Sequence, residues 1–263
     1  MVRITRILAL ALALSLSFSL TAGAQASLRD IGTNWAKQSI ESLVAKGIVS
    51  GYPDGTFRPE RHVTRAEFAK MMARAFTFDA GEPESFRDIA GHWARSHILT
   101  LSGAGIVQGY PDGTFRPDSP VSRAEVVAMI VRTLRLDDVR GYEDGDSFQD
   151  VPRGHWAHDA VETALRLKIL PPYLRGTFGP QVPATRAETA AMIDETMKLQ
   201  ITRGTVDYLD ERAMTIGVTA PAGIRDFTLS ADTVIHRNTT VAPFANLRVG
   251  DAIYVVSDRF GSP

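Results

Sequence analysis

The chain has 263 residues, an ordinary apolar share of 44% and a formal net charge of −1, with acids and bases mixed along its length. That balance suits globular domains and argues against a nucleic-acid binder, which carries a concentrated basic face. It has no cysteine, so a disulfide framework, a thiolate metal site and a cysteine nucleophile are excluded.

The first element is a leader. Arg3 and Arg6 form a basic n-region, an almost purely apolar stretch runs from Ile7 to Leu20, and Ala24-Gln25-Ala26 supplies small residues where a signal peptidase reads. The pattern predicts a secretory signal peptide over residues 1–26 and an exported mature chain. The apolar run is shorter than the roughly 20 residues that span a bilayer. No later segment is long and apolar enough to cross one, so no transmembrane segment is expected in the mature chain.

Three repeats follow. Residues 47–59 recur as 105–117, differing only at Gln108. Trp35 recurs as Trp93 and Arg65 as Arg123 at an offset of 58, and Trp156 and Arg186 form a third copy at a further 63. The expected boundaries are 27–77, 86–135 and 148–198, with 136–147 an acidic, glycine-containing linker. Each repeat reads as helix, loop, helix. Ala36, Ile40, Leu43 and Val44 lie at helical spacing behind Trp35, and Gly47 is placed to end that helix in a left-handed cap. Pro53-Asp54-Gly55 is a turn signal. Thr64-Arg65-Ala66-Glu67, Ser122-Arg123-Ala124-Glu125 and Thr185-Arg186-Ala187-Glu188 are capping boxes that open second helices. Apolar stripes such as Ala69, Met72 and Phe76 follow them. One unit cannot bury its stripe alone, so three copies packing about a shared axis are expected.

After Leu199 the pattern alternates. Residues 205–208, 214–218, 227–229, 234–235 and 252–256 read as short strands separated by turns. Residues 199–258 therefore predict a small all-β module, a barrel of the OB or SH3 type.

The residues 86–88, His92-Trp93-Ala94, 105–117 and Ser122-Arg123-Ala124-Glu125 together look like one surface-layer homology (SLH) domain, and the first repeat matches almost as well. The resemblance covers roughly residues 28–198. It implies a pseudo-threefold helical bundle with loops projecting as prongs, followed here by the β module. It also implies non-covalent anchoring to the bacterial cell wall through grooves that bind a secondary cell-wall polysaccharide, often bearing pyruvylated N-acetylmannosamine, or another peptidoglycan-linked polymer. The positions credited with binding in such proteins fall here on Arg65, Arg123 and Arg186, on Asp30, Asp88 and Asp150, on Trp35, Trp93 and Trp156, and on the turns at Gly51 and Gly109. Tyr52 and Tyr110 are expected as groove walls.

Read from the residues alone, the arginines have no local structural task. Capping accounts for Thr and Glu, and packing for Ala. A guanidinium beside the free amides of a helix start suits a carboxylate such as a pyruvyl ketal; the competing expectation is a salt bridge to a neighbouring repeat's early aspartate. The tryptophans are expected as core plugs with the indole N–H at the rim, the aspartates as caps, and Arg58 and Arg116 as solvated cations. The third repeat departs from the pattern, with Pro172 in place of Gly51 and Gly109 and Gly179 in place of Arg58 and Arg116. One groove is therefore expected to be altered, although Arg186 remains.

No paired carboxylates commit the β module to glycosidase chemistry, the histidines show no metal-ligand spacing, and neither a cofactor nor catalysis is expected. The alternatives are an adaptor whose repeats or β module bind another envelope protein and, further off, a wall-active hydrolase.

Overall fold

The computed structural model describes residues 28–79, 81–137, 146–229, 233, 235–237 and 240–258. The expected signal peptide and residues 138–145 of the expected linker lie outside these residues.

Each repeat begins with a short helix: α1 Lys37–Ala45, α3 Arg95–Gly103 and α5 His158–Arg166. Asn34, His92 and His155 accept a hydrogen bond from the amide two residues on, at 2.9–3.1 Å, and so fix the turn into these helices. That accounts for the two histidines beside tryptophans. The helices end at Gly47 and Gly105 with φ of 69° and 73°, and the third repeat places Lys168 in the same left-handed region at 56°. The second helices are α2 Arg65–Ala75, α4 Arg123–Thr133 and α6 Arg186–Lys198, and all three carry the full reciprocal capping box.

The repeats interlock in a ring. The amide of Val63 donates to Ala184, that of Ala184 to Val121 and that of Val121 back to Val63, at 2.9–3.0 Å, closing a triangle of backbone bonds between repeats. Around it α3 packs on α2, α5 on α4 and α1 on α6. Each repeat thus covers its second helix with the first helix of the next, and the last is covered by the first. One apolar core results, with Phe57, Phe115 and Phe178 fully buried in it at the roots of the three loops. The closing α1–α6 contact carries a polar latch: Asp194, 2% exposed, accepts from Ser42 at 2.7 Å and pairs with Lys198 at 3.0 Å and Lys46 at 3.3 Å. Burial works against ionisation of Asp194, yet the Ser42 and Lys198 contacts prevail and hold its carboxyl below the usual range.

Among the described residues the β module is a six-stranded antiparallel sheet in the order β3-β2-β1-β6-β4-β5. Its strands are β1 Leu199–Asp210, β2 Thr215–Ala220, β3 Gly223–Thr228, β4 Ile235–Arg237, β5 Thr240–Val241 and β6 Ala252–Asp258. β1 pairs with β6 through residues 199–205 and with β2 through residues 205–210, the stagger by which small barrels curl. A second core, including Val206, Ile216, Val218, Phe227 and Val255, fills it.

β1 starts six residues before the expected strand at Thr205, directly after α6. In that added stretch Leu199 and Ile201, together with Tyr254 and Val256 of β6, pack against the helical core. Arg203 donates to the carbonyls of Leu134 and Arg135 at 2.8 and 3.1 Å, beyond the end of α4. The module is docked on the bundle.

Candidate functional site

Each loop between the two helices of a repeat is a narrow prong. Tyr52 and Thr56 close the first by a backbone bond of 2.7 Å, and Tyr110 and Thr114 the second by one of 2.8 Å. The early aspartates clamp the base of each prong. Asp30 accepts from the amides of Phe57 and Arg58, Asp88 from Phe115 and Arg116, and Asp150 from Phe178 and Gly179, all at 2.7–2.8 Å. These aspartates are loop clamps, and they are not the partners of the motif arginines.

Gly51 and Gly109 are small because the chain presses on them. A Cβ at Gly51 would lie 2.5 Å from Leu28 and 3.0 Å from the Thr56 carbonyl, and one at Gly109 2.5 Å from Phe86. Arg58 and Arg116, expected as solvated cations, fold back on their own prongs. Each guanidinium sits 4.0 or 3.9 Å from the Tyr52 or Tyr110 ring and pairs at 3.0 Å with Asp54 or Asp112. The Thr56 and Thr114 hydroxyls, followed by these arginines, hold the two carboxyls down at about 2.

Two expectations about the motif arginines are corrected. The helix starts have no free amides to offer a ligand. The Arg65, Arg123 and Arg186 amides donate to Ser119, Val182 and Arg61, and the following alanine amides to Pro117, Pro180 and Pro59, all in the next repeat. The guanidiniums also have a task, invisible within one repeat because it is performed between repeats. Arg65 donates through Nε to Phe115 at 2.8 Å, through Nη2 to Gln108 at 3.1 Å and through Nη1 to Glu125 at 2.9 Å. Arg123 donates to the Phe178 carbonyl and pairs with Glu188 at 2.6 Å. Arg186 donates through Nε to Phe57 at 2.9 Å and through Nη2 to Ser50 at 3.0 Å. Among the described residues it pairs with no carboxylate, although it is only 8% exposed. Burial disfavours its charge and pulls its pKa down.

The tryptophans are also corrected. Trp35, Trp93 and Trp156 are 41%, 56% and 58% exposed, not core plugs. Ala36, Ala94 and Ala157, next in sequence, enter the core instead, and the indoles are left at the rims of the inter-repeat grooves.

Those grooves lie between repeats: groove 1 draws on all three, and groove 2 on the second and third. Groove 1 has a cavity of about 330 Å³ lined by residues 48–53 of the first prong, by Glu67, Lys70, Met71 and Arg74 of α2, by Trp93 and by Arg186. Lys70 Nζ lies 5.6 Å from the centre of the Trp93 ring system. Groove 2, about 370 Å³, brings Tyr110 of the second prong together with Glu125, Trp156, Gln181 and Pro183. At the third junction Tyr173 packs edge-on against Trp35 at 5.2 Å, and its hydroxyl bonds Glu188. Burial, followed by Glu188, raises the Tyr173 pKa. The altered third prong thus meets Trp35 and Arg123, whereas Arg186 belongs to groove 1.

Groove 1 is the cationic one. Lys70, Arg74 and Arg186 line it, and Glu67, the one carboxylate among the described residues that line it, is paired with Arg61 at 2.7 Å. Lys70 escapes a reading by motif because its counterparts in the other repeats are Ala128 and Ala191.

The S-layer homology domain family matches this chain three times, over residues 27–69, 85–127 and 147–190. Cell surface glycoprotein 1 of Acetivibrio thermocellus is 38% identical over 51% of the chain and 6% of its own length. The cellulosome-anchoring protein of the same organism is 38% identical over 54% of the chain and 33% of its own length. An uncharacterized cell wall amidase of Bacillus anthracis is 32% identical over 62% of the chain and 30% of its own length. The chain thus spans a third or less of these relatives. Among the described residues no helix is long and apolar enough to cross a membrane.

Proposed function

Because this chain belongs to the S-layer homology domain family, and so is an exported protein of the bacterial cell surface, we propose that it is anchored there by an acidic wall glycan seated in groove 1. Cell-surface anchoring follows from the family; the ligand and its groove are the finer reading. The observation that carries the reading is Arg186. A guanidinium buried this deeply is normally paired, and here it meets two carbonyls and opens on a groove already holding Lys70 and Arg74. A carboxylate-bearing sugar, such as the pyruvyl ketal of N-acetylmannosamine, supplies the missing anion. Its ring fits beside the half-exposed indole of Trp93 and the Tyr52 wall. Binding is the whole activity in this reading, and the β module extends the bundle without adding catalysis.

The test is sedimentation of the chain with purified wall polymer, before and after removal of the pyruvyl groups. The native polymer should retain the chain, and the stripped polymer should lose most of it. Equal retention on both sinks the acidic-ligand reading, and no retention on either sinks the glycan.

A further inference from the structure

The three repeats carry the same Arg and Glu motif residues, yet among the described residues only Arg186 lacks a carboxylate partner. The cause lies six residues before Glu67. In groove 2 Glu125 divides its oxygens: Oε2 accepts from the Ser122 amide at 2.8 Å and Oε1 meets Arg65 at 2.9 Å. Glu67 uses Oε2 in the same way, on the Thr64 amide at 3.0 Å. Its Oε1, however, goes to Arg61 Nη1 at 2.7 Å, and Oε2 lies 2.9 Å from the same nitrogen. Arg186 Nη1, the counterpart of the nitrogen with which Arg65 holds Glu125, has no hydrogen-bond partner among the described residues, and Arg186 lines the groove. The residues matching Arg61 in the other repeats are Ser119 and Val182, and neither can hold a carboxylate by charge.

We propose that Arg61 is a positioning residue that draws Glu67 off Arg186 and thereby leaves groove 1, alone of the three, with a buried cation open to an acidic ligand. The inference rests on the acidic-glycan reading for its ligand, but the exchange of partners on which it depends is internal to the chain. Groove 2 carries its own anion in Glu125, and the third junction carries Glu188 with the Tyr173 hydroxyl. In both, the motif glutamate occupies the place a ligand carboxylate would take.

The test uses the full chain and a synthetic glycoside of N-acetylmannosamine bearing a 4,6-pyruvyl ketal, titrated by calorimetry. Arg61→Ser installs the residue that the second repeat already tolerates and frees Glu67 to swing to Arg186. Binding should weaken about tenfold or more, which is roughly 1.4 kcal/mol or above. Adding Glu67→Gln removes the competing charge while keeping an oxygen for the Thr64 amide, and R61S/E67Q should return to within about threefold of the wild type. A purely structural role for Arg61 would give no such rescue. An R61S chain that binds like the wild type, or a double variant as weak as R61S, overturns the proposal. A crystal structure of R61S separates this from failure of the glycan reading. Glu67 within hydrogen-bond distance of Arg186 supports the positioning role, and Glu67 remaining apart from it overturns that role. A wild-type chain that ignores the ketal overturns the glycan reading alone.

Discussion

Arg123→Ala is expected to destabilise the chain by about 3–5 kcal/mol, the cost of leaving a buried charge without its partner. Glu188 is 1% exposed and is held by Arg123 at 2.6 Å. Its remaining bonds, to the Tyr173 hydroxyl and the Thr185 amide, do not neutralise it. The Phe178 carbonyl loses its donor as well. For a chain of this size each kcal/mol moves the melting temperature by roughly 2–4 °C, so calorimetry should show a fall on the order of 10 °C. The same change at Arg65 should cost clearly less, because the Glu125 side chain is 28% exposed and water can replace the guanidinium. R123A/E188Q should recover much of the loss, since the stranded charge is gone. Equal losses for Arg65→Ala and Arg123→Ala would contradict the assignment of Arg123 as the buried clamp between the second and third repeats.

Arg186→Gln is expected to act chiefly on ligand binding. The glutamine can keep one bond to the Phe57 or Ser50 carbonyl and ends the burial of an uncompensated charge, so the stability cost should stay near 1 kcal/mol, that of one lost hydrogen bond. Removing one partner from a desolvated, hydrogen-bonded charge pair costs about 2–5 kcal/mol of affinity, or roughly thirtyfold and upward. Titration with the ketal-bearing glycoside should show that loss for Arg186→Gln and a far smaller one for Arg65→Gln, whose charge is already met by Glu125. Comparable losses would place the ligand elsewhere.

The architecture was legible because local signals agree with one another in each copy. Thr64, Ser122 and Thr185 announce helix starts, Gly47 and Gly105 announce helix ends, and a repeat that cannot bury its own stripe demands partners. What was not legible is the identity of those partners. The task of Arg65, Arg123 and Arg186 consists of bonds to residues 43 to 136 positions away, and no capping pattern within one repeat reports them. The tryptophans were misplaced for a related reason. An indole at the head of an amphipathic helix suggests the core, but the turn fixed by Asn34, His92 or His155 sends the following alanine inward. The start of β1 was missed because Leu199 and Ile201 continue the apolar run of α6, and their alternation is readable only once the bundle surface they cover is known.

The candidate site divides in the same way. The aspartates and glycines were visible as backbone devices, and they clamp and thin the prongs. That the third prong departs from the others was visible at Pro172 and Gly179, but the partners that set the grooves apart were not, since they depend on three positions outside any motif: Arg61, Lys70 and Tyr173. The third prong, whose sequence departs most, marks the junction closed by Tyr173 and Trp35, while the arginine of the third repeat serves the groove of the first.

The most direct test of the central claim is a titration of the ketal-bearing glycoside into chains that keep one tryptophan each. With Trp93 alone retained, by W35F and W156F, the emission should change and saturate at one ligand per chain. With Trp35 alone retained, by W93F and W156F, it should stay flat, because that indole packs edge-on against Tyr173 at the junction where Arg123 is already paired with Glu188. A response from Trp35, or a silent Trp93 in a chain that still binds the glycoside, would contradict the assignment of groove 1 as the anchoring site.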